Sequence, residues 1–208
     1  MTATHPLWRP FALIGPEEIV AARVGTPANR LITVVAPDPG WPAAYEQVRS
    51  RLLEVLGDRA LTITHVGSTS VPGLEAKPTI DIDLTVDDSS REVDYVPDLE
   101  AAGFTLRVRE PGWEQHRLVT WPFPDANVHV WSPGAIEPRR HLAFASWLAT
   151  HPADLAEYGG AKRDLAALGF ADGMSYNNAK AALVYDLYEQ IFTADENHSH
   201  VPHPRPLA

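Results

Sequence analysis

Hydrophobic spacing changes along the chain, and the changes predict where strands give way to helices. Residues 1–30 hold no sustained period and predict an irregular leader with one short helix, around Glu17 to Arg23. Leu31-Ile32-Thr33-Val34-Val35 predicts a short apolar strand, broken by Pro37-Asp38-Pro39-Gly40-Trp41-Pro42. From Pro42, suited to a helix's first turn, Tyr45, Val48, Leu52, Val55 and Leu56 recur every three or four residues, an apolar helix face that Gly57 closes. Leu61 to Val66 predicts a strand by its β-branched content. Thr79 to Val86 alternates, with Ile80, Ile82, Leu84 and Val86 on one side and Asp81, Asp83 and Thr85 on the other. A helix over Pro97 to Ala102 ends at Gly103, and strands follow at Phe104 to Val108, Arg117 to Thr120 and Asn127 to Trp131. After Pro133-Gly134 the period lengthens, and Arg139 to Thr150, Pro152 to Leu168 and Ser175 to Phe192 predict three helices.

The fold class expected from this pattern is α+β, a mixed sheet flanked by helices, strand-rich over 31–132 and helical over 135–192. Its 208 residues suit one such domain, 31–192, between the leader and a Pro-rich tail over 193–208 that is expected to be disordered. Seventeen basic against 27 acidic residues leave a charge of −10, which argues against duplex nucleic acid as a partner. There is no cysteine, so disulfide scaffolds, thiol nucleophiles and zinc knuckles are excluded. No apolar run is long enough to span a bilayer, and the N-terminus has no basic start followed by an apolar stretch; the expectation is a cytoplasmic protein without a membrane partner.

Candidate chemistry concentrates between His65 and Asp83. Gly67-Ser68 ends a strand, where backbone N–H groups and a hydroxyl can hold phosphate. Asp81 and Asp83 stand two apart on one strand face, and two carboxylates so placed repel unless a cation lies between them, which suits Mg²⁺ or Mn²⁺ with phosphate oxygens. Each feature alone reads equally as a turn and a solvated strand face. Strand, Gly-Ser, short loop, then a strand with Asp-x-Asp together resemble the signature of the nucleotidyltransferase superfamily. That resemblance implies phosphates on the turn and metal on the aspartates.

A closer resemblance is to the GrpB family. It rests on His65-Val66-Gly67-Ser68-Thr69-Ser70-Val71-Pro72-Gly73-Leu74, on Ala76-Lys77-Pro78 and on Ile80-Asp81. Pro37-x-Pro39-x-Trp41-Pro42 with Tyr45, Asn127-Val128-His129-Val130, His141-Leu142-Ala143-Phe144 with Trp147-Leu148 and His151-Pro152 extend it. So do Tyr158 with Lys162 and Tyr176 with Lys180, so the likeness runs from about Ile32 to Phe192. It implies the nucleotidyltransferase fold, in a family whose members also occur fused to dephospho-CoA kinase.

Nucleotidyltransferases usually carry a third carboxylate on a later strand. The equivalent strand here offers Asn127, His129 and Trp131 instead, and His129 can ligate a metal or act as a base. Asp81, Asp83 and His129 are therefore the expected catalytic and metal residues. Gly67, Ser68, Lys77, Arg107, Arg117, Lys162 and Lys180 are the expected nucleotide or phosphate contacts. Arg107, Arg109, His116 and Arg117 would form a basic wall opposite the acids. The two Tyr/Lys pairs read either as base-stacking with phosphate contact or as core-edge tyrosines with snorkelling lysines. His65 reads as a packing residue that orients the turn, and His198, His200 and His203 as part of the disordered tail. The function expected is metal-dependent nucleotidyl transfer from a triphosphate to a small-molecule or protein acceptor. The alternatives are a non-catalytic nucleotide-binding or regulatory module tied to a protein partner, and hydrolysis of a phosphorylated metabolite.

Overall fold

The computed structural model describes residues 3–26, 32–170 and 173–206. Among the described residues six α-helices and five strands follow in the order α1 (Pro16–Ala22), α2 (Trp41–Leu56), β1 (Thr62–Val66), β2 (Ile80–Thr85), α3 (Val96–Ala101), β3 (Thr105–Glu110), β4 (His116–Pro122), β5 (Asp125–Trp131), α4 (Glu137–Thr150), α5 (Pro152–Ala167) and α6 (Gly173–Ala194). The strands form one mixed sheet, β1-β2-β5-β4-β3, in which β2 and β5 run parallel and the other pairs antiparallel. The α+β arrangement expected from the pattern is the one observed.

One face of the sheet carries the core. Ile80, Ile82 and Leu84 of β2, Val119 of β4 and Val128 and Val130 of β5 are buried against Val48, Leu52 and Leu56 of α2 and Leu99 of α3. At about 25 cal/mol per Å² of apolar surface removed from water, this face supplies most of the sheet's stability. The opposite face is polar along β2 and β5, and the helical half packs over it through separate clusters around Leu148, Tyr158 and Leu187 and around Tyr188, Ile191 and Phe192.

Two expectations fail locally. Leu31 lies outside the described residues, and Ile32 to Val35 do not form a strand; a single bridge pairs Val35 with Ala76, because Pro37 and Pro39 leave no length for a ladder. The tail, expected to be disordered over 193–208, follows a defined path along α6 through its described residues, which end at Pro206. The His5 backbone N–H donates to His200 Nδ1 (3.1 Å), Tyr185 donates to the His203 carbonyl (2.9 Å), and Arg205 pairs with Asp186 (2.7 Å). Prolines forbid regular structure there, but contacts to the leader and α6 hold the chain without it. No helix among the described residues is long and apolar enough to cross a membrane.

Candidate functional site

The register of β2 against β5 builds the site. Asp81 sits opposite Asn127, Asp83 opposite His129 and Thr85 opposite Trp131, so acids, amide, imidazole and indole share the polar face. Asn127 Nδ2 donates to Asp81 Oδ1 (2.9 Å), and His129 Nε2 lies 4.0 Å from the same oxygen. The turn after β1 presses on this acid. Gly67 has φ 67° and ψ −168°, a region essentially reserved for glycine, and a Cβ built there would meet Asp81 Oδ2 at 2.5 Å. Glycine is needed at this position both for its backbone angle and for its missing side chain.

Asp83 is differently placed. It is 2% exposed, and both of its oxygens are taken, Oδ1 by Trp131 Nε1 (2.8 Å) and Oδ2 by His141 Nδ1 (2.8 Å). Burial acts to raise its pKa, but the hydrogen bond and charge of His141 outweigh it and hold the carboxyl below the usual range; His141 is correspondingly raised. Along β2 the polar face thus offers one accessible acid, Asp81, and one sealed acid that anchors α4 to the sheet.

His129 is backed by a relay. Its Nδ1 is 3.0 Å from His116 Nε2, and His116 Nδ1 is 2.7 Å from Glu110 Oε2. A carboxylate only accepts, so His116 Nδ1 carries a proton; when His129 Nδ1–H donates to His116 Nε2, a lone pair is left on His129 Nε2 toward Asp81. Burial and the neighbouring His116 lower the His129 pKa to about 4, so the ring is neutral near pH 7.

The phosphate candidates divide. Lys162 of α5 reaches the turn, its Nζ donating to Ser68 Oγ (2.7 Å) and to the Glu75 carbonyl (2.7 Å). Burial and Lys180 lower its pKa to about 7, and its ammonium stands 5.1 Å from the Tyr158 ring. Only 3% exposed, it does not snorkel. Lys180 stands 5.1 Å from the Tyr176 ring and lines a cavity with Gly67, Ser68 and Asp81. Lys77 is half-buried in the loop before β2 and is not part of that lining.

The basic wall is not formed. Arg117 shares the face of Val119 and Val130, opposite to Asp81, and pairs with Glu92 (2.6 Å). Arg109 pairs with the same Glu92 (2.7 Å), and Arg107 sits on the edge strand β3, bonded to Thr120 Oγ1 and the Thr26 carbonyl. The antiparallel register turned Arg117 inward, where a carboxylate met it. His116 alone of the four stands behind the site. His65 stacks on Tyr45 of α2 (4.8 Å) and bonds Thr69 Oγ1 (3.0 Å), orienting the turn as expected.

His141 was missed as a site residue. Nothing local marks it; only the packing of α4 over β2 brings it to Asp83.

The GrpB protein family profile matches residues 31–190. The chain belongs to the GrpB family. It is similar to "UPF0157 protein BH1888" of Halalkalibacterium halodurans, 44% identical over 176 residues that cover 84% of this chain and 90% of that one. It is similar to the crystal structure of conserved protein GrpB from Enterococcus faecalis, with TM-score 0.67 and 28% identity over 77% of this chain and 97% of that chain. A dephospho-CoA kinase of Mycolicibacterium paratuberculosis is 30% identical over 79% of this chain, and the match spans 47% of the kinase. A GrpB-like segment therefore occurs within a longer kinase chain.

Proposed function

We propose that this GrpB chain is a metal-dependent nucleotidyltransferase-like enzyme that takes a nucleoside triphosphate and passes its nucleotidyl group to a small-molecule or protein acceptor. The observation that carries this reading is the close packing of Gly67 on Asp81, with Ser68 tied to a buried lysine. A phosphate-sized turn and an accessible carboxylate face one cavity.

The donor set fits a divalent cation at Asp81 and His129 Nε2. The carboxylate is half-exposed, the imidazole is held neutral, and Glu110–His116 orients the ring from behind, as carboxylate–histidine pairs do behind metal ligands. One lone pair serves as ligand or as base but not both, and a pKa near 4 favours the ligand role. Asp83 joins the set only by giving up its bond to His141. A cation bound here supplies charge neutralisation on the phosphate oxygens. The chain's own part is to orient the triphosphate. Gly67 admits it to the backbone, and Lys162, by donating to Ser68 Oγ, fixes the Ser68 side chain at the turn. In the transfer, the acceptor oxygen bonds the α-phosphorus and gives its proton to solvent as the bond to the bridging oxygen breaks and pyrophosphate leaves.

The second reading, a nucleotide-binding or regulatory module without turnover, is favoured by two observations: both oxygens of Asp83 are occupied, and the β5 residue opposite it is His129, while the one acid of β5, Asp125, stands at the start of the strand and accepts from Thr79 Oγ1 (2.6 Å). Manganese binding followed by electron paramagnetic resonance, together with pyrophosphate release from triphosphates, tests the proposal. Native protein is expected to bind Mn²⁺ more tightly in the presence of ATP, and Asp81→Asn to lose that binding. Unchanged Mn²⁺ affinity in Asp81→Asn overturns the metal assignment; nucleotide binding with no pyrophosphate from any triphosphate leaves the module.

A further inference from the structure

The cavity beside Asp81 has a volume of about 400 Å³, within the range of small-molecule sites. It lies between the polar face of the sheet and helices α4 and α6, and Arg9, Pro10, Phe11, Ala12 and Ile14 of the leader line its remaining side. Those residues fall outside the segment matched to the family.

The leader is fixed there by polar contacts at several points. The Ile14 backbone N–H donates to Asn178 Oδ1 (3.1 Å), and Asn178 Nδ2 donates back to the Ile14 carbonyl (2.9 Å), so one side-chain amide replaces a strand partner. Arg9 pairs with Glu114 (2.9 Å) and Glu137 (2.6 Å), and Arg140 Nη1 donates to the Leu7 carbonyl. Trp8 Nε1 donates to Glu189 Oε1 (2.7 Å). A segment without helix or strand that is tied down this often is a wall.

The wall changes what the cavity can hold. Phe11 and Ile14 from the leader face Phe144 and Leu148 of α4 and Val184 of α6, so most of the space is apolar. Its ionic residues are largely mutually satisfied, since Arg9 and Arg140 both pair with Glu137. Lys180 differs. Among the described residues it forms no ion pair with a carboxylate, and its ammonium rests only on the Tyr176 ring. Lys180 is half-buried, and the charge of Asp81 acts on it across the cavity without a direct ion pair; an anionic ligand can supply a closer counter-charge.

We infer that the cavity binds a small organic anion with an apolar body, the body lying between Phe11, Ile14, Phe144 and Leu148 and the anionic group meeting Lys180. Its role as the acceptor, with its nucleophilic oxygen toward Asp81, rests on the transfer reading above; its binding does not. This takes Lys180 away from the triphosphate, to which the sequence assigned it. It also favours a small molecule as the acceptor, because the leader lines one side of the cavity and narrows it.

Fluorescence titration with anilinonaphthalene sulfonate, an aromatic anion, tests the inference on the full chain without metal or nucleotide. The uncharged analogue phenylnaphthylamine serves as the control. Saturable one-to-one binding of the sulfonate is expected. Lys180→Met should weaken the sulfonate about tenfold, the loss of one charge-assisted contact, and leave the uncharged analogue unchanged. Ala145→Trp, which fills the cavity, should weaken both probes, and Phe11→Ala should weaken both while the helical circular dichroism stays native. Equal affinity for the two probes, or a Lys180→Met titration that matches the native protein, overturns the anion assignment. Phe11→Ala without effect removes the leader from the site. Asp81→Asn removes a negative charge from the cavity lining and should bind the sulfonate no more weakly than the native protein while losing Mn²⁺, so a failed metal assignment and a failed cavity assignment give different results.

Discussion

The two faces of the central sheet come from the same residues in alternation, yet they are stabilised in different ways. On one face Ile80, Ile82 and Leu84 are at most 2% exposed and need nothing but neighbours of the right size. On the other, each polar group requires a particular partner. Asn127 holds Asp81, Trp131 and His141 hold Asp83, and His116 holds His129. An apolar face is non-directional and tolerates any good packing, whereas a buried polar face must have its hydrogen bonds made or lose about 1–3 kcal/mol for each group left unpaired. The atoms that remain available on the polar face, an oxygen of Asp81 and the Nε2 of His129, are therefore the ones open to a ligand.

The largest effect should come from the apolar face. Ile82→Ala is expected to cost about 2–5 kcal/mol of unfolding free energy in urea, while the protein that remains folded binds Mn²⁺ as the native one does. Loss of metal binding in that variant would mean that the two faces are not independent.

Gly67→Ala should cost less stability and more function. The backbone angle there is worth about 1–3 kcal/mol against a residue with a Cβ. The new methyl also displaces the Asp81 carboxylate, so Mn²⁺ and triphosphate affinity should both fall. Native affinity in Gly67→Ala would show that the turn and the acid do not act together.

The smallest effect is electrostatic. Lys162 has its pKa lowered from 10.5 to about 7 in the folded chain. Between those values the unfolded chain binds the extra proton, so this lysine makes stability rise as pH increases through that window, and it opposes folding most below pH 7. Lys162→Met should flatten the pH dependence of the melting temperature from about pH 7 to 10.5 and leave it little changed above. A slope that survives the substitution would place its origin elsewhere on the polar face.

Much of this site was legible in the chain. The alternation over Thr79 to Val86 put both aspartates on one face, and Gly67-Ser68 marked the turn, because strand period and turn chemistry are local properties. The parallel pairing of β2 with β5 then brought His129 and Asn127 where the sequence expected them. The basic residues were misplaced for a complementary reason. Whether Arg117 points toward Asp81 or away from it depends on strand order and register, and a shift of one residue reverses it.

By itself, then, the sequence determined the elements from α2 onward, the apolar face and the pairing of a glycine–serine bend with two acids, since each follows from spacing within a few residues. The tertiary structure decided which acid is accessible, that His141 seals the other, that Lys162 is buried on Ser68, and that the leader walls the cavity. All four depend on contacts between segments far apart in the chain, and the direction of a side chain across such a contact is set by packing rather than by its neighbours in sequence.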